Sequence, residues 1–387
     1  MKLKNLNVSY IAGCLIDDDM FYVASTFDSL DSEIECSRMS FYDHLDGQWH
    51  DHDNFEFKSI SVALVPKTES TRRTMLSVSL DGQIEFYSSQ KITYEKIEDV
   101  GFSNPDFFYG TLNKIRNIQS SFYTCGSAGQ IYKKAEKEWL HDDLGLLLPK
   151  VEYQKIKPEE ILNLDYEEPS REIYDINGHN LNCLYACGED QEGGFVACKT
   201  EGKWEINDKR TPSGLHHICL CPDGVNIIVV GDYGTVFYGN NESGFINLKD
   251  ISINDSFYQS CYFKEDLYIA ASTGLYKYSN SKYEILEIIP YGTEVSTVES
   301  TNNVLWVLTD KVIYRFNGKK WDVILNPDNT LEEDFLSSMK AGQKCPHTGY
   351  WFTVAKENSR QYFKQEDIFP DVKSDWGDVY WQFDGEE

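Results

Sequence analysis

Seven aromatic residues, Trp49, Tyr94, Trp139, Trp204, Phe245, Tyr283 and Trp321, recur along this 387-residue chain at intervals of 45, 45, 65, 41, 38 and 38. Each closes the same unit: an apolar strand, a small or Gly-rich turn, an aromatic-rich strand and a second polar turn. The unit is plainest in Phe122-Tyr123-Thr124-Cys125-Gly126-Ser127-Ala128-Gly129-Gln130-Ile131-Tyr132 and in Ile228-Val229-Val230-Gly231-Asp232-Tyr233-Gly234-Thr235-Val236-Phe237-Tyr238. Close copies follow at Leu267-Tyr268-Ile269-Ala270 and Leu305-Trp306-Val307-Leu308, and looser ones at Phe21-Tyr22-Val23-Ala24, Met75-Leu76-Ser77-Val78 and Leu184-Tyr185-Ala186-Cys187. Apart from one insertion, the spacing is that of a four-stranded repeat.

Before three anchors lie Asp46-Gly47-Gln48, Glu201-Gly202-Lys203 and Asn317-Gly318-Lys319-Lys320. Glycine there supplies the positive φ of a tight hairpin, and the aromatic then opens an outer strand that packs on the next unit. A single unit has two apolar faces and cannot bury them, so the stack must close or be capped. Seven copies make closure the natural solution, with Asn5 to Cys14 the candidate for a strand that completes the last unit. The pattern resembles the seven-bladed β-propellers over residues of about 5 to 327. It departs from WD40 proteins, since Gly-His occurs only at Gly178-His179 and Trp-Asp only at Trp321-Asp322, and it lacks the Ser-x-Asp-x-Gly-x-Thr-Trp box of sialidases. The expected fold is all-β: a seven-bladed propeller over 1–330 with an insertion at about 141–172, and a C-terminal extension, 331–387, packed on it.

Three segments fall outside the repeat, and such segments carry function more readily than the blades. The insertion begins with Leu144-Gly145-Leu146-Leu147-Leu148-Pro149, predicts a short helix from Pro158, and ends in Asp165-Tyr166-Glu167-Glu168. The second is Asp28 to Glu35. The tail opens like a helix at Leu331, then offers a strand at Tyr350 to Val354 and an aromatic end from Asp375 to Trp381. The chain holds 63 acidic against 36 basic residues, a net of −27. Residues 1–57, 141–172 and 331–387 carry nets of −9, −5 and −6. This charge argues against nucleic acid and anionic membrane as partners and suits a basic protein, whose approach it would steer.

Ten cysteines in a chain of this length, several inside apolar strands, read as reduced buried thiols of a cytoplasmic protein. Ile11-Ala12-Gly13-Cys14 has the form of a lipoprotein cleavage box, but the residues before it are too few and too polar for a signal peptide. No run is long and apolar enough to span a bilayer as a helix.

Catalytic motifs are missing. There is no Gly-x-Ser-x-Gly, Walker loop or dinucleotide fingerprint, and the glycines from Gly188 to Gly194 belong to a hairpin. His50 and His52 share one face of an extended segment but have no third ligand, so no metal is expected. Cys187 aligns with Cys125, Val230 and Ala270, which marks a small core position rather than zinc. His216-His217, just before Ile218-Cys219-Leu220, is expected in a loop, satisfied or exposed. In general character, with irregular blades, strong acidity, free cysteines and no active-site motif, the chain resembles the immunity proteins of bacterial polymorphic toxin systems. That resemblance implies a non-enzymatic protein, without cofactor, that occludes a basic toxin domain. The candidate partner-binding residues are Asp28, Asp31, Glu33, Glu35, Glu159, Glu160, Asp165, Glu167 and Glu168. The competing expectations are a glycoside hydrolase or lyase using carboxylates that converge on the central channel, and a scaffold subunit of a larger assembly.

Overall fold

The computed structural model describes residues 6–31, 34–69, 71–101, 109–149, 170–248, 250, 252–329, 338–345, 348–353, 355–356, 359–365, 367–372 and 379–385. The described residues contain no helix, and the chain divides into two compact units, Met1–Asn326 and Pro327–Glu387. The first is a seven-bladed β-propeller. Its blades, at 8–55, 59–96, 112–141, 171–211, 215–247, 257–285 and 295–325, are antiparallel four-stranded sheets whose strands follow chain order. First strands of neighbouring blades touch all the way round, including Val8–Leu15 against Val295–Ser300, so the first strand of each blade is the inner one.

Burial explains the sequence pattern. A second strand has a neighbouring blade on each face, so Ile227–Gly231 and Leu305–Thr309 are buried at every position and read as unbroken apolar runs. Outer strands face solvent, and Lys282–Ile285 alternates between exposed and half-buried. All seven aromatic anchors lie on outer strands. Gly47, Gly202 and Gly318 adopt positive φ in the turns before three of them.

Every inner strand carries a register irregularity at the same place. The shift falls between Tyr10 and Ala12, Ser59 and Ser61, Ile173 and Asp175, Leu215 and His217, Phe257 and Gln259, and Val295 and Thr297, and opposite Cys125 and Gly126 in the third blade. Seven equivalent bulges bend the inner strands alike, as a closed ring requires.

Ring closure corrects one expectation. The N-terminal segment does not complete the seventh blade: Val8–Leu15 is the inner strand of the first, and each blade is made from one continuous stretch of chain. The seam between blades 1 and 7 is closed by packing and by a polar clasp. Val8, Phe21 and Val23 share a core with Val304, Trp306, Leu308 and Ile313. Asp18 accepts from Thr301 at 2.5 Å and from Asn303 at 2.7 Å, Arg315 donates to Asp19 at 3.0 Å, and Leu15 N donates to Glu299 at 2.6 Å.

The second unit has its own sheet, with Tyr380–Gly385 between Ser338–Lys340 and Gly349–Phe352, and Gln361–Phe363 at the edge. Trp351, Phe363, Phe369 and Trp381 form its core. The helix expected from Leu331 lies outside the described residues.

Candidate partner interface

Four antiparallel strands per blade give the ring two faces. The lower face holds the loops between second and third strands and those joining successive blades. The upper face holds the other hairpin loops. Among the described residues the lower loops contain 16 acidic and 2 basic residues, the upper loops 11 and 8. The described parts of the acidic loop after Phe27 and of the insertion after His141, up to Pro149, both belong to the lower face, which the repeat by itself did not reveal.

Of the sequence candidates, Asp28, Asp31 and Glu35 are exposed on that face. The Asp28 carboxylate accepts from Ser9 at 2.7 Å and pairs with Lys311 of blade 7, so part of its charge is spent on the seam. The Asp31 carbonyl accepts from Ile34 N, and the Glu35 carbonyl from Glu56 N, which fixes the loop's ends. Glu33, Glu159, Glu160, Asp165, Glu167 and Glu168 lie outside the described residues, as does the helix expected from Pro158. The start of the insertion is built into the ring: Leu146 is fully buried, and Trp204 donates from its backbone to Leu144 O and from its ring to Asp142 O. Ile34, Leu80, Leu144, Tyr233 and Tyr291 stand exposed in the lower loops.

The bulged residues Ile11, Ile60, Asn113, Tyr174, His216, Tyr258 and Ser296 are all half-buried, near the lower ends of the inner strands. Three of them form an aromatic arc across blades 4 to 6, with ring centroids 5.0 Å apart for Tyr174 and His216 and 6.1 Å for His216 and Tyr258. Carboxylates surround the arc: Tyr174 donates to Glu189 at 2.7 Å, and His216 Nε2 lies 2.9 Å from Asp232. Burial, then Glu294, Asp232 and Asp255, raise the Tyr258 phenol above its ordinary pKa. Carboxylates beside aromatic rings favour a cationic or hydrogen-bond-donating visitor. His216 and His217 sit inside the inner strand Leu215–Leu220 rather than in the expected loop, because the strand begins three residues earlier than its apolar run suggests.

At the end of blade 3's outer strand, His141 bridges the loops that join this blade to blades 4 and 2, with Nδ1 2.7 Å from Asp143 and Nε2 2.8 Å from Asp99. Those bonds, the Asp143 one foremost, outweigh burial and raise the imidazole pKa to about 9. His141 is therefore a cation at neutral pH inside an acidic surface.

Charged residues do occur on several inner strands, the residue types a catalytic channel would need. Their geometry serves the ring instead. Arg116 donates to both Asp175 oxygens at 2.8 and 2.7 Å, and Asp175 also accepts from Ile218 N at 2.9 Å, joining blades 3, 4 and 5. Burial alone would raise the Asp175 pKa, but Arg116 overrides it and holds the group at about 2. His217 is pushed well below its ordinary pKa by burial, and its neutral Nδ1 accepts from Ser260 N of blade 6 at 3.3 Å. Gln259 donates to Val298 O, Ser61 accepts from Ile115 N, and Ser37 accepts from Ser59 N. With Glu299 on Leu15, these bonds staple every pair of neighbouring blades.

Among the described residues no group of His, Cys, Asp or Glu is arranged to hold a metal. His52 instead stacks on Tyr87 at 4.4 Å, and Asp53 pairs with Arg38 at 2.7 Å. All ten cysteines are free; Cys125 and Cys187 are fully buried opposite Lys114 and Asp175, at the position they share with Val230 and Ala270.

No family model matches the chain. Among solved structures, the fold is similar to the WD40 β-propeller domain of Doa1 (12% identity, TM-score 0.54, covering 82% of this chain and 96% of that one). It is also similar to virginiamycin B lyase from Staphylococcus aureus (12% identity, TM-score 0.56, covering 78% and 92%). At such identities the likeness shows the propeller alone. In sequence, 336 residues are 24% identical to the immune protein Tsi7 of Pseudomonas aeruginosa, a match covering 82% of this chain and 98% of that protein. The chain is thus a seven-bladed propeller similar in sequence, through nearly the whole length of that relative, to an immune protein.

Proposed function

We propose that this protein is an immunity protein that binds a toxin and neutralises it by covering its active site. The observation that carries this reading is the likeness to an immune protein through 98% of that protein's length. The inner-strand charges agree with it, since Arg116, Asp175, His217 and Glu299 are engaged in joining blades. The toxin surface is basic in this reading, and the lower face is the docking face. Asp31, Glu33, Glu35, Glu159, Glu160, Asp165, Glu167 and Glu168 supply the field, with Asp28 a lesser part of it, and the aromatic arc with Tyr233 and Tyr291 supplies the anchors. Charge sets the rate of approach and the rings set the lifetime of the complex.

The test is expression of the neighbouring gene's product with and without this protein. Expected are toxicity relieved by co-expression, a stoichiometric complex, and a complex at least tenfold weaker when Tyr233 and Tyr291 are both changed to Ala. No relief and no complex would overturn the immunity reading. Relief that persists with unchanged affinity in the double variant would move the docking site off these anchors.

A further inference from the structure

On the upper face, beside the loop of Asp17, Asp18 and Asp19, a cleft of about 860 Å³ opens between blades 1 and 2. Its apolar wall is formed by Met20, Phe41, Met75 and Tyr87, with the Phe41 and Tyr87 rings 5.5 Å apart. Its rim is basic: Lys67, Arg72 and Arg73 border it, with Glu69 the one acidic residue in the described lining. In a chain of net charge −27 this is a local reversal of sign.

The rim is braced. Thr68 and Thr71 share a hydroxyl hydrogen bond at 2.5 Å, and Thr71 N donates to the Thr68 hydroxyl at 2.9 Å. Arg73 is engaged by Asp17 at 3.0 Å and by the Met20 sulfur at 3.3 Å. Arg72 is held differently: both terminal nitrogens donate to the Gln90 side-chain oxygen, at 2.9 and 2.8 Å, with that amide turned to face them. A neutral partner orients the guanidinium without cancelling its charge. Neither Arg72 nor Lys67 has a carboxylate partner among the described residues.

Two uncompensated cations, hydroxyls of Thr68, Ser88 and Ser89 beside them, and an aromatic wall with thioethers below form a mixed site. Its cations suit a phosphate and its wall suits a flat ring, and its volume lies in the range of small-molecule sites. We propose that this cleft binds a nucleoside monophosphate, with the phosphate between Lys67 and Arg72 and the base against Tyr87 and Phe41. This site is independent of the toxin-binding reading and lies on the opposite face.

Calorimetric titration of the full chain with AMP tests it, with adenosine and inorganic phosphate as comparison probes. Saturable AMP binding at least tenfold tighter than either probe is expected. The double variant Lys67→Ala, Arg72→Gln, both exposed on a loop, should weaken AMP at least tenfold while leaving the thermal melt unchanged. Absence of saturation at millimolar AMP, adenosine binding as tightly as AMP, or AMP affinity unchanged in the double variant would each overturn the proposal.

Discussion

The same residue type does opposite work at different places in this protein. Asp17, Asp18 and Asp19 read as one acidic run, yet they turn respectively to Arg73, to Thr301 with Asn303, and to Arg315. Asp18 and Asp19 belong to the clasp and Asp17 ties blade 1 to blade 2, and the sequence separations of 56, 283 and 296 explain why nothing local marks them. Asp28 is shared between clasp and surface. His141 shows the same effect of distant partners on a titrating group. Its folded pKa of about 9 lies above an unfolded value of about 6.5. Its stabilising contribution is therefore fully present below pH of about 6.5 and is lost as pH rises through 9. Urea unfolding across that window should show stability falling with pH, and His141→Gln should remove that part of the slope. An unchanged slope would mean the bridge to Asp99 and Asp143 is not made in solution.

At the scale of the strand, the bulge is the device that repeats. Residues opposite the position before it are small in six blades, Gly126, Gly188 and Gly231 in blades 3 to 5, Ser25 and Ser79 in blades 1 and 2 and Ala271 in blade 6, while blade 7 has Thr309. At Gly188 the requirement is close approach, for an added Cβ would lie 1.8 Å from the Glu172 carbonyl oxygen. Gly188→Ala should push Arg171–Asn180 away from Cys183–Asp190 and cost about 1–3 kcal/mol, read from urea denaturation. Loss below about 0.5 kcal/mol would show that the strand relaxes freely, as surface positions do. The grammar of strand, turn and aromatic was legible because it is local. The inner strand was the least legible part, since its side chains answer to neighbouring blades: the His216-His217 pair reads as a loop from sequence and stands in a strand.

The propeller unit is a ring with unlike faces, and the charge of its loops acts through that ring. Steering depends on the summed field of one face, and salt screens it with a Debye length of about 10 Å at 0.1 M. Association with the toxin should therefore slow as salt rises. Changing Glu159, Glu160, Glu167 and Glu168 to Gln should slow it further and flatten the salt dependence, whereas changing Lys319 and Lys320 to Gln on the upper face should not. Stopped-flow association at several ionic strengths checks this, and equal effects from the two faces would remove the lower face from the approach path.

The sequence by itself determined the strands, their turns, the number of blades and the outward place of the seven aromatic anchors. Each depends on neighbours a few residues away: alternation, Gly at positive φ, and an aromatic after the turn. Tertiary structure decided how the ring closes, which acids are spent in joining blades, which loops share a face, and that a basic cleft opens between the first two blades. Those are relations between residues tens to hundreds of positions apart, and only the closed ring brings them within hydrogen-bonding distance or onto one surface.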